Sequence, residues 1–102
     1  MFEVTEQKVL RWASERNILK GSTPLAQFKK TTEEVEELHD GLKAGINVEI
    51  IDAIGDIMVT LAVIANMHSV NLDWCLHAAY QEIKDRKGQM VDGVFVKENS
   101  NE

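Results

Sequence analysis

The stretch from Ile50 to Met67 constrains the fold of this chain more than any other segment. It is apolar nearly all round, and within residues 57–65 the one polar side chain is Thr60. A helix that is apolar on every face must be covered on every face. Asp52 and Asp56 interrupt the run, which favours a buried helix over a membrane span. In a chain of 102 residues, this predicts a helix in the middle of a bundle or at a subunit interface.

Start and stop signals divide the rest of the chain into three further helices. Ser22-Thr23-Pro24 places a hydroxyl cap before a proline, which is typical of a helix start. Gly45 is suited to the end of that helix. Asn47 and Asn71 can each cap a helix that follows. The predicted helices cover about residues 3–16, 24–44, 48–68 and 72–86. We therefore expect an all-α fold, a four-helix bundle in one domain spanning residues 1–102.

The C-terminal end has a different pattern. The Asp92-Gly93 pair lies between β-branched and apolar residues, which indicates a short hairpin within about residues 90–96. A single hairpin is marginal in water, so it is a possible addition to the bundle and no replacement for it. Residues 98–102 are expected to form a frayed tail.

Charge and cysteine content exclude several classes of protein. The formal net charge is −6 and no basic patch is evident, which argues against binding to duplex nucleic acid. A chain this acidic would need bound cations to handle a polyanion.

Cys75 is the single cysteine, so an intrachain disulfide is impossible and a reducing compartment is favoured. The N-terminus is charged within its first few residues, unlike a secretory signal. We expect a cytoplasmic protein that does not bind membranes.

The first of two acidic clusters is Glu33-Glu34-Val35-Glu36-Glu37, on the second predicted helix. Glu34 and Glu37 are three residues apart and share a helix face, and Glu33 lies near it. Like charges at this spacing destabilise a helix by a few tenths of a kcal/mol per pair. For an isolated cluster, a solvated acidic face is the commoner explanation.

The second cluster is Glu49, Asp52 and Asp56, spaced by three and four residues along the most apolar helix. Carboxylates in such surroundings must be paired, hydrogen-bonded, neutral or bound to metal. The two acidic helices are joined by a short turn and are expected to be antiparallel, so their carboxylates can face each other. Such a set of hard oxygen donors suits Mg²⁺ or Mn²⁺. The structural alternative is that the aspartates act as caps or pair with Lys30 or Arg86.

Together, the segments EEVEE and EIIDAIGDI resemble the MazG-like nucleoside triphosphate pyrophosphohydrolases of the all-α NTP pyrophosphatase superfamily. That family's pattern is EExxE, a spacer, and an acidic pair ending in a Gly-Asp step. Glu33, Glu34 and Glu37 match the first part, and Gly55 and Asp56 match the end of the second. The opening around Arg11-Trp12-Ala13 and the tail AAYQEIKDRKGQMVDGVFVKE are also similar to small single-domain members from phages and mobile elements. The resemblance covers nearly the whole chain.

The resemblance implies a MazG-like bundle completed by oligomerisation, as a dimer or tetramer. It also implies Mg²⁺-dependent hydrolysis of (deoxy)nucleoside triphosphates to monophosphate and pyrophosphate, as house-cleaning of the nucleotide pool. The metal ligands would be Glu34, Glu37, Asp52 and Asp56, with Glu33 or Glu49 as a base or outer ligand. Many members have a second glutamate where this chain has Ala53, so Asp52 or Glu49 would replace that ligand.

Candidates for substrate contacts follow from the same resemblance. The basic side chains that could bind phosphates are Lys30, Lys84, Arg86, Lys87 and Lys97, although each is equally typical of a solvated surface. The side chains that could bind a base are Trp12, Gln27, Phe28, Asn66 and Tyr80, although aromatic residues at helical spacing are more often core. Two other functions stay open. One is a non-catalytic helical interaction module, and the other is a relative that binds nucleotides without cleaving them, which Ala53 would explain.

Overall fold

The structure is a computed structural model, and it describes residues 1–98. The helices are α1 (Phe2–Glu15), α2 (Ile18–Gly21), α3 (Pro24–Ala44), α4 (Asn47–Met67) and α5 (Leu72–Ile83). An antiparallel hairpin follows, with strands β1 (Gly88–Val91) and β2 (Val94–Lys97). The all-α fold with a short C-terminal hairpin is confirmed. The predicted frayed tail lies almost wholly outside the described residues.

Local sequence signals explain most of the helix ends. The Thr23 side chain accepts a hydrogen bond from the Ala26 amide at 3.1 Å, so Thr23 is the cap that the sequence predicts. Gly45 ends α3 in the left-handed conformation, with φ of 69°, and the Ile46 amide donates to the Gly41 carbonyl. Asn71 caps α5 by accepting from the Trp74 amide at 2.7 Å.

Three details differ from the sequence prediction. The short helix α2 adds a fifth helix after Asn17, whose φ of 63° turns the chain. Asn47 is the first residue of α4 and makes no side-chain cap, because Ile46 occupies the cap position. The last helix ends at Ile83 rather than near residue 86. The second and third differences lie at helix ends, where few hydrogen bonds decide the conformation.

The antiparallel pair α3 and α4 forms the centre of the molecule. The Thr31 and Thr60 hydroxyls are hydrogen-bonded at 2.7 Å, and both side chains are buried. Near the other end, Gly41 lies against Glu49 and Ile50, where an added Cβ would be 3.4 Å from the Ile50 side chain. These two contacts fix the register of the antiparallel pair. Residue 31 lies beside residue 60 and residue 41 beside residue 50, so the numbers of any two residues at the same level add up to about 91.

A carboxylate on α1 holds the start of α5. Glu6 is buried, and its two oxygens accept hydrogen bonds from the Leu72 and Asp73 amides, the latter at 3.1 Å. These amides are in the first turn of α5, where backbone N–H groups have no partner within the helix and a negative charge is favoured.

Replacing Glu6 by alanine is therefore expected to destabilise the fold by about 2 kcal/mol, because it leaves two partly buried donors unpaired. Urea unfolding followed by circular dichroism would measure the loss. Glu3→Ala is the matched control, since Glu3 is an exposed glutamate on the same helix. Equal effects from the two substitutions would contradict the capping role.

The core of the single chain is thin. Its buried apolar residues are Ala13, Ala53, Ala62, Val63 and Ala65. Large apolar side chains on α4, α5 and the hairpin are exposed instead, among them Ile51, Trp74 and Phe95. The radius of gyration is 16.4 Å, whereas a compact domain of this length has about 13 Å. The chain alone therefore leaves much of its apolar surface uncovered.

Candidate active site between the acidic helices

The register of α3 against α4 decides which carboxylates meet. Asp56 is level with position 35, between Glu34 and Glu37. Asp52 is level with position 39, about 3 Å along the axis from Glu37. Glu49 lies beside Gly41, one turn beyond Glu37 and two turns beyond Glu34. Asp56 is therefore level with the glutamate pair, Asp52 is next to it along the axis, and Glu49 is farther along.

Glu34 is the buried member of this group, at 5 % exposure. Its Oε1 accepts from the Lys30 ammonium group at 3.2 Å, whereas its buried Oε2 has no hydrogen-bond partner. A buried carboxylate oxygen without a partner is costly unless a proton or a cation satisfies it. Lys30, a predicted phosphate contact, thus pairs with Glu34 in the free chain.

Glu37 and Glu34 interact closely enough to shift each other's ionisation. A hydrogen bond to Glu34, together with the charge of Glu34, raises the pKa of Glu37, and the charge of Asp56 adds to the rise. The hydrogen bond from Glu37 in turn lowers the pKa of Glu34. The negative charge of Glu34 thus favours the protonated form of Glu37. When Glu37 loses its proton, the two like charges repel, and a cation would relieve that repulsion.

This arrangement predicts a loss of stability as the pH rises. The pKa of Glu37 is higher in the folded chain, so Glu37 stabilises the fold below its unfolded pKa, and that contribution is lost as the pH rises through the raised pKa. The lowered pKa of Glu34 acts oppositely, because its contribution is lost on acidification. Glu37→Gln should therefore remove part of the decrease in unfolding free energy above about pH 4.5.

Urea unfolding from pH 4 to 8 in EDTA would measure this decrease. Glu36→Gln is the matched control, because Glu36 is an exposed neighbour on the same helix. Parallel pH profiles for the wild type and Glu37→Gln would show that the pair does not repel.

Ala53 is buried at 3 % exposure and is level with position 38, so it faces α3 directly. Asp52 and Asp56, in contrast, are exposed in the single chain, so the expectation that the apolar helix buries them is wrong for the chain alone. The reason is that the apolar α4 residues around them, such as Ile51 and Ile54, are themselves uncovered. Within residues 1–98, no three His, Cys, Asp or Glu side chains already form a group able to hold a metal ion.

Beside these carboxylates lies a cavity of about 400 Å³ between α1, α4 and the start of α5. Asp52, Gly55 and Asp56 form one wall. Nothing in the described chain lies within 4 Å of a Cβ added at Gly55, so this glycine opens onto the cavity. The remaining lining residues are Phe2, Thr5, Glu6, Val9, Ile51, Met58, Val59, Ala62 and Leu72. A cavity of this size and mostly apolar lining is suited to part of a small organic ligand.

The side chains predicted to bind a base do not line this cavity. Trp12 packs under the Arg16 guanidinium at 5.1 Å, and the Gln27 amide donates to the Ser22 hydroxyl at 3.0 Å. Phe28 is exposed on α3. Asn66 and Tyr80 line two other, separate grooves. The structure thus disperses these five residues and places Phe2, Val9 and Met58 beside the acids instead, which no sequence signal indicated.

The other predicted residues have simple positions. Glu33 is exposed on α3, next to the buried Glu34. Lys84, Arg86 and Lys87 follow the end of α5, and Lys97 lies at the end of β2 opposite Gly88. In the described part of the chain, none of these four cations forms an ion pair.

Comparison with known protein families supports the resemblance noted from the acidic motifs. Residues 13–87 match the phosphoribosyl-ATP pyrophosphohydrolase family. The chain belongs to this family. The family is part of the MazG-like all-α NTP pyrophosphatase superfamily, so the resemblance noted from the acidic motifs is confirmed. The matched range contains α3, α4 and α5 and thus every carboxylate of the predicted metal set.

One relative of similar sequence comes from a phage. The chain is 34 % identical over 65 residues to an uncharacterized 18.2 kDa protein in the rep-hol intergenic region of Haemophilus phage HP1 (strain HP1c1). The match covers 64 % of this chain and 40 % of the phage protein, so the chain spans less than half of that relative's length. No solved structure matches the chain. Within residues 1–98, no helix is both long and apolar enough to cross a membrane.

Proposed function

We propose that the chain hydrolyses (deoxy)nucleoside triphosphates between the α- and β-phosphates, releasing a monophosphate and pyrophosphate in the cytoplasm. The observation that carries the proposal is the buried Glu34 oxygen without a partner, in a carboxylate pair that is level with Asp56. Membership of a pyrophosphohydrolase family supports the reaction class. A nucleoside triphosphate is proposed as the substrate because the acidic motifs are shared with MazG-like proteins.

The donor atoms fit Mg²⁺, with Mn²⁺ as the close alternative. All of them are carboxylate oxygens, which these hard cations prefer. The free Oε2 of Glu34 and the raised pKa of Glu37 both mark a place where an added positive charge is favoured. Glu34, Glu37 and Asp56 would hold the ion, and the register supports Asp52 over Glu49 as the substitute for the ligand missing at Ala53. When bound, Mg²⁺ would neutralise the negative charge of the phosphates and polarise the α-phosphorus.

The remaining side chains have roles around this centre. Glu33 is adjacent to the buried Glu34 and exposed to solvent, so it can accept a proton from the attacking water. Glu49 lies one helical turn beyond Glu37, so it would serve as an outer ligand that does not contact the ion directly. The cavity beside Asp52 and Asp56 would receive the nucleoside part of the substrate. Lys30 would exchange its bond with Glu34 for a phosphate contact.

We also propose that the active form is a homo-oligomer, at least a dimer. Ile51, Ile54, Met58 and Leu61 are exposed on α4 at intervals of three, four and three residues. This spacing forms a continuous apolar stripe; Ile51 and Met58 lie on its cavity side, and a second helix would cover the side formed by Ile54 and Leu61. The carboxylates on the same helix would then lie at the edge of the covered surface.

Pyrophosphate release from a panel of deoxy- and ribonucleoside triphosphates, with Mg²⁺ and with EDTA, would test the reaction. Release that requires the cation is the expected result, and the ranking of substrates would give the base and sugar preference. No release from a folded oligomer that binds Mg²⁺ would instead indicate a nucleotide-binding relative, which the buried Ala53 favours. No release and no Mg²⁺ binding would indicate a helical interaction module.

A further inference from the structure

We propose that the buried hydroxyl pair of Thr31 and Thr60 is a positioning device, which sets the distance between α3 and α4 and thereby fits the carboxylates to a cation of the size of Mg²⁺. This inference rests on the proposed function and makes it more specific, because it assigns the choice of cation to two uncharged residues. Neither threonine would touch the ion or the substrate, so both would act through the backbone that carries the ligands.

The two hydroxyls connect the helices through a short chain of hydrogen bonds. The Thr31 and Thr60 oxygens are 2.7 Å apart, and both side chains are buried. The Thr31 oxygen is also 2.9 Å from the Gln27 carbonyl oxygen, and the Thr60 oxygen is 2.7 Å from the Ile57 carbonyl oxygen. Each hydroxyl has one proton, so Thr31 can donate to Thr60 while Thr60 donates to Ile57. Within residues 1–98, no other side-chain hydrogen bond joins α3 to α4.

Two hydroxyl oxygens approach each other more closely than two methyl groups can. The hydroxyl oxygens here are 2.7 Å apart, whereas carbon atoms in contact are about 3.5–4.0 Å apart. An apolar pair of the same shape would therefore hold the two helices about 1 Å farther apart at this level. Because protein interiors are close-packed, a displacement of that size is passed along the helices to neighbouring turns.

The proposed metal ligands lie between this hydroxyl pair and a second point of close approach. The second point is Gly41, where an added Cβ would be 3.4 Å from the Ile50 side chain. The ligands on both helices fall between the two points: Glu34 and Glu37 on α3, and Asp52 and Asp56 on α4. The helix separation at these two points therefore determines how far apart the carboxylate-bearing turns are.

On each helix, the ligand nearest to the hydroxyl pair is one turn away. Glu34 follows Thr31 by three residues, and Asp56 precedes Thr60 by four. Residues at these spacings are neighbours on a helix surface. Glu34 is also the buried carboxylate whose Oε2 has no hydrogen-bond partner. Since its side chain is enclosed, the position of that oxygen follows the position of the α3 backbone.

Cations of different radius require different distances between their ligands. Mg²⁺ needs near-octahedral geometry with oxygens at about 2.0–2.1 Å, whereas Ca²⁺ accepts a flexible geometry at about 2.3–2.6 Å. Moving the carboxylate-bearing turns apart would therefore weaken the binding of Mg²⁺ more than that of Ca²⁺. The close approach of the two hydroxyls would favour the smaller cation.

Thr31→Val/Thr60→Val removes both hydroxyls and keeps the shape of both side chains. Isothermal titration calorimetry of the folded protein with Mg²⁺ alone and with Ca²⁺ alone, without nucleotide, would measure the two affinities. The ratio of Ca²⁺ affinity to Mg²⁺ affinity should rise on the order of tenfold, the smaller of the effects known for residues that orient metal ligands. The free energy of unfolding in EDTA should change little, because both partners of the hydrogen bond are replaced by apolar groups of the same shape.

Thr31→Ser/Thr60→Ser should give the opposite combination of results. It keeps both hydroxyls and loses two buried methyl groups, so urea unfolding should show lower stability while the ratio of the two affinities stays at the wild-type value. Thr32→Val is the matched control, because the exposed Thr32 hydroxyl donates to the Lys29 carbonyl at 2.7 Å within α3. It should keep the wild-type affinity for both cations.

Three results would overturn the positioning role. They are an unchanged affinity ratio in the valine variant, a ratio that follows stability in the serine variant, and a wild type that binds neither cation. Pyrophosphate release by the wild type, measured separately, tests the reaction. If no pyrophosphate is released but the ratio changes as expected, the proposed reaction fails and the positioning role stands. If release requires Mg²⁺ and the ratio is unchanged in the valine variant, the reaction stands and the positioning role fails.

Discussion

Asp56→Asn should reduce pyrophosphate release by on the order of 10³-fold or more without destabilising the fold. Asp56 is level with the space between Glu34 and Glu37, and its charge adds to the rise in the pKa of Glu37 that Glu34 chiefly causes. It is exposed in the single chain, so the fold does not depend on its packing. Losing one carboxylate ligand weakens the held cation, whose charge stabilisation is worth several kcal/mol in such reactions, and about 4 kcal/mol corresponds to 10³ in rate.

The same substitution should leave the free energy of unfolding in EDTA unchanged or slightly higher, because it removes one of three neighbouring negative charges. Rates would be measured by pyrophosphate release at saturating Mg²⁺, and stability by urea unfolding. Asp40→Asn is the matched control, since Asp40 is an exposed aspartate on α3 outside the proposed ligand set. Full turnover by Asp56→Asn would show that the site is assigned to the wrong carboxylates.

Local chemistry explains why the two acidic helices could be predicted from the sequence. A Thr-Pro start and a Gly end mark the two ends of α3. A long apolar run identifies α4. A two-residue connection between them leaves an antiparallel pair as the simple outcome. The carboxylates then fall on facing helices whatever the rest of the chain does. The hairpin was equally local, because Asp92 and Gly93 adopt the positive φ angles that its turn requires.

What could not be predicted depends on contacts between distant residues. Glu6 caps a helix that begins 66 residues later, and no motif near Glu6 indicates that role. The cavity beside Asp56 combines α1 with α4, so its lining depends on how those helices cross. The predicted base-binding residues were chosen for their chemistry, and the fold separates them. The exposure of Asp52 and Asp56 depends on apolar neighbours that the single chain leaves uncovered.

Those uncovered neighbours lead to the second large prediction. Leu61→Glu should split the proposed oligomer into monomers and make the chain much less stable. Leu61 is the last residue of the apolar stripe on α4 and is 36 % exposed in the single chain. If a second copy covers the stripe, a glutamate there would place two unpaired charges in a two-fold interface. The penalty is on the order of several kcal/mol.

Light scattering during gel filtration and urea unfolding at two protein concentrations would measure both consequences. The urea concentration at the unfolding midpoint of the wild type should rise with protein concentration, because association stabilises the folded state. The midpoint of Leu61→Glu should not depend on protein concentration. Val4→Glu is the control, because Val4 is 55 % exposed on α1 beside polar residues and lies outside the stripe. A monomeric wild type whose midpoint is independent of concentration would mean that the thin core of Ala13, Val63 and their neighbours is sufficient. The apolar stripe would then need a cover other than a second copy.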